Sequence, residues 1–400
     1  MKRMLKKSDL LNGSLFLISP FMAIPTIFFG IVNKSKFSLG LLVLLFGLVS
    51  YMYIPHVSND RARYFELYED FSDKSFVALF AYLMLTGQDF ILQSMFYFAS
   101  QINLPAQLVF AFSTIVTIGF IMYTYGKITF NSDSTTPQLR FIAIMFLCLA
   151  IPFVDLLSGT RFMFAASFVL MAFYKGLVER KKIAFLFLLL AGCIHFSVYI
   201  FAFIFLVLYL FPNTDKLYKI LFVTSFFFVL IPIDFLILVF NSLGISGGLE
   251  MKSEAYLGGD DFLKKGVEES YLKKYMYFLS LIWIFGIYLF TYFKIKNKSI
   301  FKNIVLFTAT IINVFFSFPT IFFRYSIVLG FFFVILLIIE LYENKQKSGI
   351  YFFGIILSLI LFIQILFSLP NITKTFANKN SLVLVLIMNS ELMNSNDFIE

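Results

Sequence analysis

Residues 179–211 read ERKKIAFLFLLLAGCIHFSVYIFAFIFLVLYLF, a basic loop followed by an apolar run of 29 residues. A membrane-spanning helix needs about 20 residues, so the run is long for one span and short for two. The loop at 179–182 and the basic stretch at 294–302 should both face the cytoplasm, yet three apolar runs lie between them. Two cytoplasmic points require an even number of crossings. The run therefore predicts two short helices that meet near residues 193–195.

The rest of the chain continues this apolar pattern. Its 400 residues are 60% hydrophobic and 14% charged, and the mean hydropathy is +0.89. A soluble domain is less apolar and more charged, so burying this much apolar surface needs a bilayer. The sequence predicts an all-α fold, a polytopic transmembrane helical bundle of about 10–12 spans with one or two re-entrant or broken helices. Further apolar runs lie at 10–32, 37–54, 75–103, 107–126, 138–157, 161–178, 217–240, 275–293, 301–318, 321–340 and 350–369.

The order of apolar runs and basic loops predicts how the chain is arranged across the membrane. We expect residues 1–400 to form a single membrane-embedded domain. Placing the loop at 179–182 in the cytoplasm puts a first loop, 55–74, and a larger loop, 241–274, on the periplasmic side.

Two further runs carry signals of a break in the helix. Gly87-Gln88-Asp89 interrupts the run at 75–103, which must begin and end on the same side of the membrane. This run is therefore expected to be a re-entrant or surface-lying pair of helices. A break at Pro20–Pro25 would similarly fold the first run back on itself.

The charge and cysteine content narrow the function classes. The net charge of +9 is carried by Lys and Arg in short loops between apolar runs, which indicates contact with anionic lipid headgroups rather than nucleic acid. Cys148 and Cys193 lie inside apolar runs, so no disulfide framework is indicated. Two His and two Cys show no metal-ligand spacing, and no metal site is expected.

Ionisable residues within or at the ends of apolar runs are functional candidates, because an Arg at a helix centre costs about 3 kcal/mol. On the predicted topology most of them lie toward the periplasmic side, and Glu340 is the exception. The loop at 55–74 adds a carboxylate beside two guanidiniums, a combination that suits an anionic ligand and a base. The candidates are Asp155, Arg161, His195, Asp234 and Arg324 in the runs, and Asp60, Arg61 and Arg63 in the loop.

Structural interpretations of the same residues stay open. Arg161 and Arg324 each stand at the start of a helix, where a long side chain can snorkel to the interface. A helix N-terminus is already electropositive, so Arg161 implies a partner, either Asp155 or a phosphate ligand. His195 could equally be a buried histidine of the core.

The order of these residues resembles a known family. It consists of an Asp-x-x-x-Tyr pattern, an Arg that opens a later span, a basic loop, a His-x-Ser pattern and a late Arg, carried by Asp60, Tyr64, Arg161, His195, Ser197 and Arg324. This order is similar to that of the O-antigen and capsule polysaccharide polymerases of the Wzy type, especially the EpsG-like branch.

The resemblance implies a C-type glycosyltransferase-like fold in a multi-pass protein of the bacterial inner membrane. Such enzymes move a growing glycan from undecaprenyl diphosphate onto a lipid-linked repeat unit at the outer face of that membrane, without a metal or other cofactor. The expected partners are the undecaprenyl-diphosphate-linked oligosaccharide, membrane lipids and a chain-length regulator protein.

The resemblance also suggests roles for individual residues. The acceptor hydroxyl needs a base, for which Asp60 is the first choice and His195 the second. Arg161 and Arg324 would hold the leaving diphosphate and stabilise its growing charge. The second diphosphate and the remaining substrate would be held by Arg61, Arg63 and Tyr64.

Three other functions fit part of the pattern. A flippase for the same lipid-linked unit would need charges along a central cavity and paired halves. Another C-type glycosyltransferase, using a polyprenyl-phosphate sugar, would show paired acidic residues in the first loop, where Asp60 is instead followed by Arg. A membrane acyltransferase would need a carboxylate at helical spacing from His195, and the sequence has none there.

Overall fold

The computed structural model describes residues 7–57, 59–86, 89–132, 135–231, 235, 271–295, 299–344 and 347–376. Over these residues the chain is helical and contains no β-strand. The predicted all-α bundle is therefore confirmed.

The first half of the chain forms short and medium helices. They are α1 Lys7–Ile18, α2 Ile24–Val32, α3 Lys36–Met52, α4 Asp60–Phe71, α5 Phe76–Thr86, α6 Phe90–Gln101, α7 Ala106–Phe130, α8 Pro137–Leu149, α9 Phe153–Leu157 and α10 Thr160–Phe173, which continues as a π-helical turn, Tyr174–Val178.

The second half holds the longest helices. They are α11 Ile183–Ile194, α12 Tyr199–Leu210, α13 Asp215–Val229, α14 Tyr271–Leu289 with a π-helical turn at Phe290–Lys294, α15 Ile300–Val314, α16 Pro319–Asn344 and α17 Lys347–Phe376.

Five of the helical stretches are long and apolar enough to cross a membrane, counted over the described residues. Several shorter apolar helices accompany them, as expected where runs are broken. The chain is thus a multi-pass membrane protein. The five stretches are Ala106–Phe130, Thr160–Val178, Lys273–Lys294, Pro319–Glu343 and Gly349–Leu366.

The helix breaks predicted from the sequence are present. The run at 183–211 divides between α11 and α12, with His195 extended and a 3₁₀ turn at Phe196–Val198 between them. The run at 75–103 divides at Asp89, whose φ of 61° is left-handed. The first run is interrupted between Ile18 and Ile24, in the region of Pro20.

The predicted first loop, 55–74, contains the helix α4 rather than irregular chain. Its apolar side packs on α6 and α7 in a separate aromatic cluster, where Tyr64 stacks on Phe96 with ring centroids 5.4 Å apart. The opposite side of α4 carries most of its charged residues. Residues 241–270 of the predicted larger loop lie outside the described part of the chain.

Two groups of helices form the main bundle. In one, α7 packs against α3 and α10, and α10 packs against α11. In the other, α15 packs between α13 and α16, and α14 packs against α17. Helices α10 and α16 join the two groups, and the rings of Phe173 and Phe332 lie 4.7 Å apart at their contact.

Gly176 allows the close approach of the α10 end to the two arms of the broken run. A methyl group at this position would overlap the ring of Phe205, which is completely buried, and would lie 2.8 Å from the Ala184 Cβ atom. Overpacking of a well-packed core costs about 1–3 kcal/mol. We expect Gly176→Ala to lower the thermal unfolding midpoint of the purified protein in detergent.

Gly40 offers a matched control in α3, because a methyl group there meets no atom within 4 Å. Gly40→Ala should leave the midpoint unchanged or raise it, since Ala favours helix over Gly by about 1 kcal/mol. Equal midpoints for the two variants would contradict the packing described for Gly176.

Candidate functional site

A cavity of about 1140 Å³ lies between α4, α6 and α8–α10 on one side and α14, α16 and α17 on the other. The residues that line it change from charged to apolar along the helices. On α14, Lys273 lies at one end and Trp283 about three turns further along; on α16, Arg324 is followed by Gly330. One end of the cavity is therefore charged and the other is apolar.

The charged end gathers residues from widely separated parts of the chain. Its charged residues are Asp60, Arg63, Glu66, Asp70, Asp89, Asp155, Arg161, Lys273 and Arg324. The apolar end is lined by Met276, Trp283, Ile284, Ile327, Gly330, Leu357, Ile360 and Leu361.

Arg161 is at the centre of the ionic contacts in the cavity wall. Its Nη1 donates a hydrogen bond to Oδ2 of Asp89, and its Nη2 lies 3.9 Å from Oδ2 of Asp60. The guanidinium carbon lies 5.7 Å from the centre of the Tyr64 ring, within the range of a cation–π contact. Since Arg161 is the second residue of α10, these acidic partners offset the electropositive helix terminus.

Asp89 provides the buried half of this pair. Its side chain is 1% exposed, and the break between α5 and α6 brings it inward. Asp tolerates a left-handed φ better than most residues, because its short side chain can hydrogen-bond locally. An isolated carboxylate at this depth would be costly, so Asp89 and Arg161 depend on each other.

His195 lies behind Asp89, away from the cavity surface. Its Nδ1 is 3.3 Å from Oδ1 of Asp89, a close polar contact rather than a well-aligned hydrogen bond, and the residue is 3% exposed. Its ring meets the ring of Phe162, the neighbour of Arg161, edge to face at 5.9 Å. The irregular segment between α11 and α12, which carries His195, is bonded to α16. The Tyr325 hydroxyl donates a hydrogen bond to the Ser197 carbonyl at 2.9 Å.

Asp155 and Arg324 line the cavity from different helices, α9 and α16. Asp155 is carried by the short helix α9, whose first N–H groups point at α17, and Oε1 of Gln364 accepts a hydrogen bond from the Phe153 N–H at 2.7 Å. Arg324 is close enough to interact electrostatically with the Asp155 carboxylate. The sequence analysis offered Asp155 or a phosphate ligand as the partner of Arg161; in the structure the acidic contacts of Arg161 are Asp89 and Asp60.

Tyr64 and Arg63 both line the cavity. Arg63 is largely exposed and lies 3.6 Å from Asp60, one turn earlier in α4. Tyr64 is 8% exposed, and burial raises the pKa of its hydroxyl, with Arg161 opposing and Asp89 adding to the shift. The phenol therefore stays neutral and able to donate a hydrogen bond at physiological pH.

Arg61 does not reach the cavity. Its side chain is completely buried and donates to the Ser50 carbonyl at 2.5 Å, the Ser50 hydroxyl at 3.3 Å and the Leu157 carbonyl at 3.2 Å. Its guanidinium carbon also lies 4.2 Å from the centre of the Phe110 ring. Arg61 therefore joins α3, α4 and α9, and it is not placed to hold a diphosphate.

The structure thus brings together Asp60, Arg63, Tyr64, Arg161 and Arg324 around one cavity, with His195 one layer behind. The sequence analysis identified Asp89 as a helix break but not as a site residue. The rule that selected the other candidates, an ionisable residue inside an apolar run, would also have selected it. Among the other candidates, Asp234 lies outside the described residues, and Glu340 is buried near the far end of α16.

One family model matches residues 36–380, and its description is the EpsG family. The chain belongs to the EpsG family. The match begins at the first residue of α3 and includes every residue named as lining the cavity. EpsG proteins are polysaccharide polymerase-like membrane proteins, so the resemblance stated from the sequence is confirmed. No curated protein and no solved structure matches the chain.

Arg61 and Arg63 of this EpsG-family chain provide a direct test of the site boundary. We expect Arg61→Leu to lower the thermal unfolding midpoint strongly, because it leaves the Ser50 and Leu157 carbonyls without these hydrogen bonds at about 1–3 kcal/mol per group. Arg63→Leu removes an exposed ion pair, which contributes at most about 1 kcal/mol, and should leave the midpoint nearly unchanged. A reversed order of the two midpoints would show that the two side chains have been assigned to the wrong environments.

Proposed function

We propose that this EpsG-family protein is a glycosyltransferase that polymerises a surface polysaccharide. It moves a growing glycan from undecaprenyl diphosphate onto a lipid-linked repeat unit, in an O-antigen or capsule pathway at the periplasmic face of the bacterial inner membrane. The observation that carries the proposal is a single cavity with arginines at one end and apolar walls at the other.

The shape of the cavity matches the chemistry of a lipid-linked sugar. A diphosphate is recognised by guanidinium groups through paired, charge-assisted hydrogen bonds. A polyprenyl chain needs a long apolar surface, which α14, α16 and α17 supply together through Trp283, Ile327 and Leu361. The polar rim on α4, with Asp60, Arg63 and Tyr64, then faces the sugars.

The proposed reaction forms one glycosidic bond and breaks one bond to a phosphate oxygen. The acceptor hydroxyl oxygen attacks the anomeric carbon of the donor glycan. The bond from that carbon to the diphosphate breaks, and undecaprenyl diphosphate leaves with the electron pair. The proton of the acceptor hydroxyl passes to a base, for which we propose Asp60.

Asp60 fits the base role better than His195. Its side chain is 36% exposed and lines the cavity, so an acceptor hydroxyl can approach its carboxylate. His195 is 3% exposed and is separated from the cavity by Asp89. A base must come within hydrogen-bonding reach of the proton that it removes.

Arg161 and Arg324 are proposed to hold the donor diphosphate from two walls of the cavity. The 3.9 Å separation between the Arg161 Nη2 and Asp60 is longer than a hydrogen bond, so a phosphate oxygen can take this donor. Charge that builds up on the leaving oxygen would then be stabilised by groups already in place. On this account the residues of the chain supply the electrostatic stabilisation, and Arg63 assists at the rim.

The charge distribution disfavours a flippase, the main alternative. Transport of a charged headgroup needs charged groups along its path, whereas none of the residues that line the cavity beyond Lys273 on α14 or Arg324 on α16 is charged. We also propose, from the family resemblance, that a chain-length regulator protein acts as a partner.

Loss of either cavity arginine should abolish polymerisation while sparing earlier steps. In cells that lack the chromosomal gene, Arg161→Ala or Arg324→Ala should yield a single lipid-linked repeat on a polysaccharide gel, without the ladder restored by wild type. The cause is the loss of a diphosphate ligand, which costs at least tenfold in rate.

Arg180→Ala is the matched control, since Arg180 is an exposed arginine just beyond the opposite end of the α10 span. It should restore the full ladder at equal protein levels. A normal ladder from both cavity variants would remove the diphosphate role, and loss of the single-repeat band in the deletion strain would point to a flippase.

The apolar end of the cavity predicts a separate defect. Gly330 lines this end, so Gly330→Leu should occupy the space proposed for the polyprenyl chain and shorten or remove the ladder. Gly354→Leu on α17 is the control, because a Cβ atom added there meets no heavy atom within 4 Å. Gel analysis of both variants in the deletion strain checks this; an intact ladder from Gly330→Leu would mean that the lipid lies elsewhere.

A further inference from the structure

A line of three polar side chains runs from the interior of the bundle to the cavity. It begins at His195 in the break between α11 and α12, passes through Asp89 in the break between α5 and α6, and ends at Arg161 on α10. His195 is 3% exposed and does not line the cavity, whereas Asp89 lies in the cavity wall but is only 1% exposed. One helix break thus places Asp89 on the guanidinium, and the other places His195 behind Asp89.

Each contact in this line limits the freedom of the next side chain. The two carboxylate oxygens of Asp89 have different neighbours: Oδ2 accepts from Arg161 and Oδ1 lies 3.3 Å from Nδ1 of His195. An imidazole at one oxygen restricts rotation of the carboxylate, and the carboxylate plane sets the direction of the guanidinium that it binds. Phe162 holds the imidazole from the Arg161 side, edge to face.

We propose that Asp89 and His195 are positioning residues that hold Arg161 in the orientation required to bind a diphosphate. This proposal rests on the proposed function only in assigning Arg161 to the diphosphate. It replaces the base role considered for His195 with an indirect one, because the imidazole acts through Asp89 and not on the acceptor sugar. The ring of Tyr64 also lies against the guanidinium, with its centre 5.7 Å from the guanidinium carbon.

The proposal is tested by diphosphate affinity, which is measured without any turnover. The probe is farnesyl diphosphate, a short soluble prenyl diphosphate, titrated into the purified full-length protein in detergent. Arg161→Ala should weaken binding by at least about tenfold, and His195→Ala and Asp89→Asn by about three- to tenfold each, as expected for loss of support to a charge-assisted hydrogen bond.

Two further variants separate positioning from a general structural role. His195→Asn places an amide nitrogen where Nδ1 was and should bind within about threefold of wild type, although Asn cannot act as a base. In the Arg161→Ala background, His195→Ala should cause no further loss, because residues that act through one another give non-additive effects. If His195→Ala is not recovered as folded protein, His195→Gln, whose amide extends past Asp89, takes its place.

Several results would overturn the proposal. These are wild-type affinity in His195→Ala, additive losses in the double variant, failure of His195→Asn to bind, or absence of farnesyl diphosphate binding in the wild type. Binding that follows the expected pattern in a protein that makes no ladder in the deletion strain would instead end the polymerase proposal and leave the positioning roles in place.

Discussion

A guanidinium inside a membrane protein has to be paired, and the pairing of Arg161 with Asp89 is the interaction on which the site depends. A buried charge without a partner costs several kcal/mol, so α6 and α10 are held where the two side chains meet. Asp60 and Tyr64 then approach the same guanidinium from α4. The charged rim of the cavity is thereby tied to this pair, while the packing of α4 on α6 and α7 holds the helix itself in place.

The broken helices have the same physical origin. Backbone polar groups at membrane depth need partners, and irregular chain survives there only when protein covers it. The Ser197 carbonyl is satisfied by Tyr325, and the start of α9 by Gln364. Each of these bonds joins a break or a short helix to α16 or α17. The irregular segments therefore add to the α10–α16 contact that joins the two groups of helices, and they also carry His195 and Asp155.

Much of the fold could be predicted from the sequence, because bilayer thickness and loop charge are strong constraints. The length of 183–211 and the parity of crossings predicted a break near residues 193–195, which is where α11 ends. The pairing of Asp89 with Arg161 could not be predicted in this way. The two residues are 72 positions apart in sequence, and no spacing rule connects side chains from separate helices.

The division of roles between Arg61 and Arg63 was also beyond sequence reasoning, for a simpler reason. The segment 55–74 was interpreted as a loop, and a loop gives neighbouring side chains no fixed direction. Once α4 is helical, residues two apart point to nearly opposite sides, since each residue turns the helix by about 100°. Arg61 then enters the interior and Arg63 faces the cavity. Glu66 and Asp70, also on the cavity side of α4, were missed for the same reason.

The central claim is that this cavity transfers a glycan between lipid diphosphates, and reconstitution of the purified protein tests it most directly. The substrate is the lipid-linked repeat unit that accumulates in cells lacking the gene, supplied to the full-length protein in liposomes. The account predicts a ladder of products, with one undecaprenyl diphosphate released for every glycosidic bond formed. Movement of the unchanged repeat unit across the liposome membrane, without a ladder or released diphosphate lipid, would contradict it.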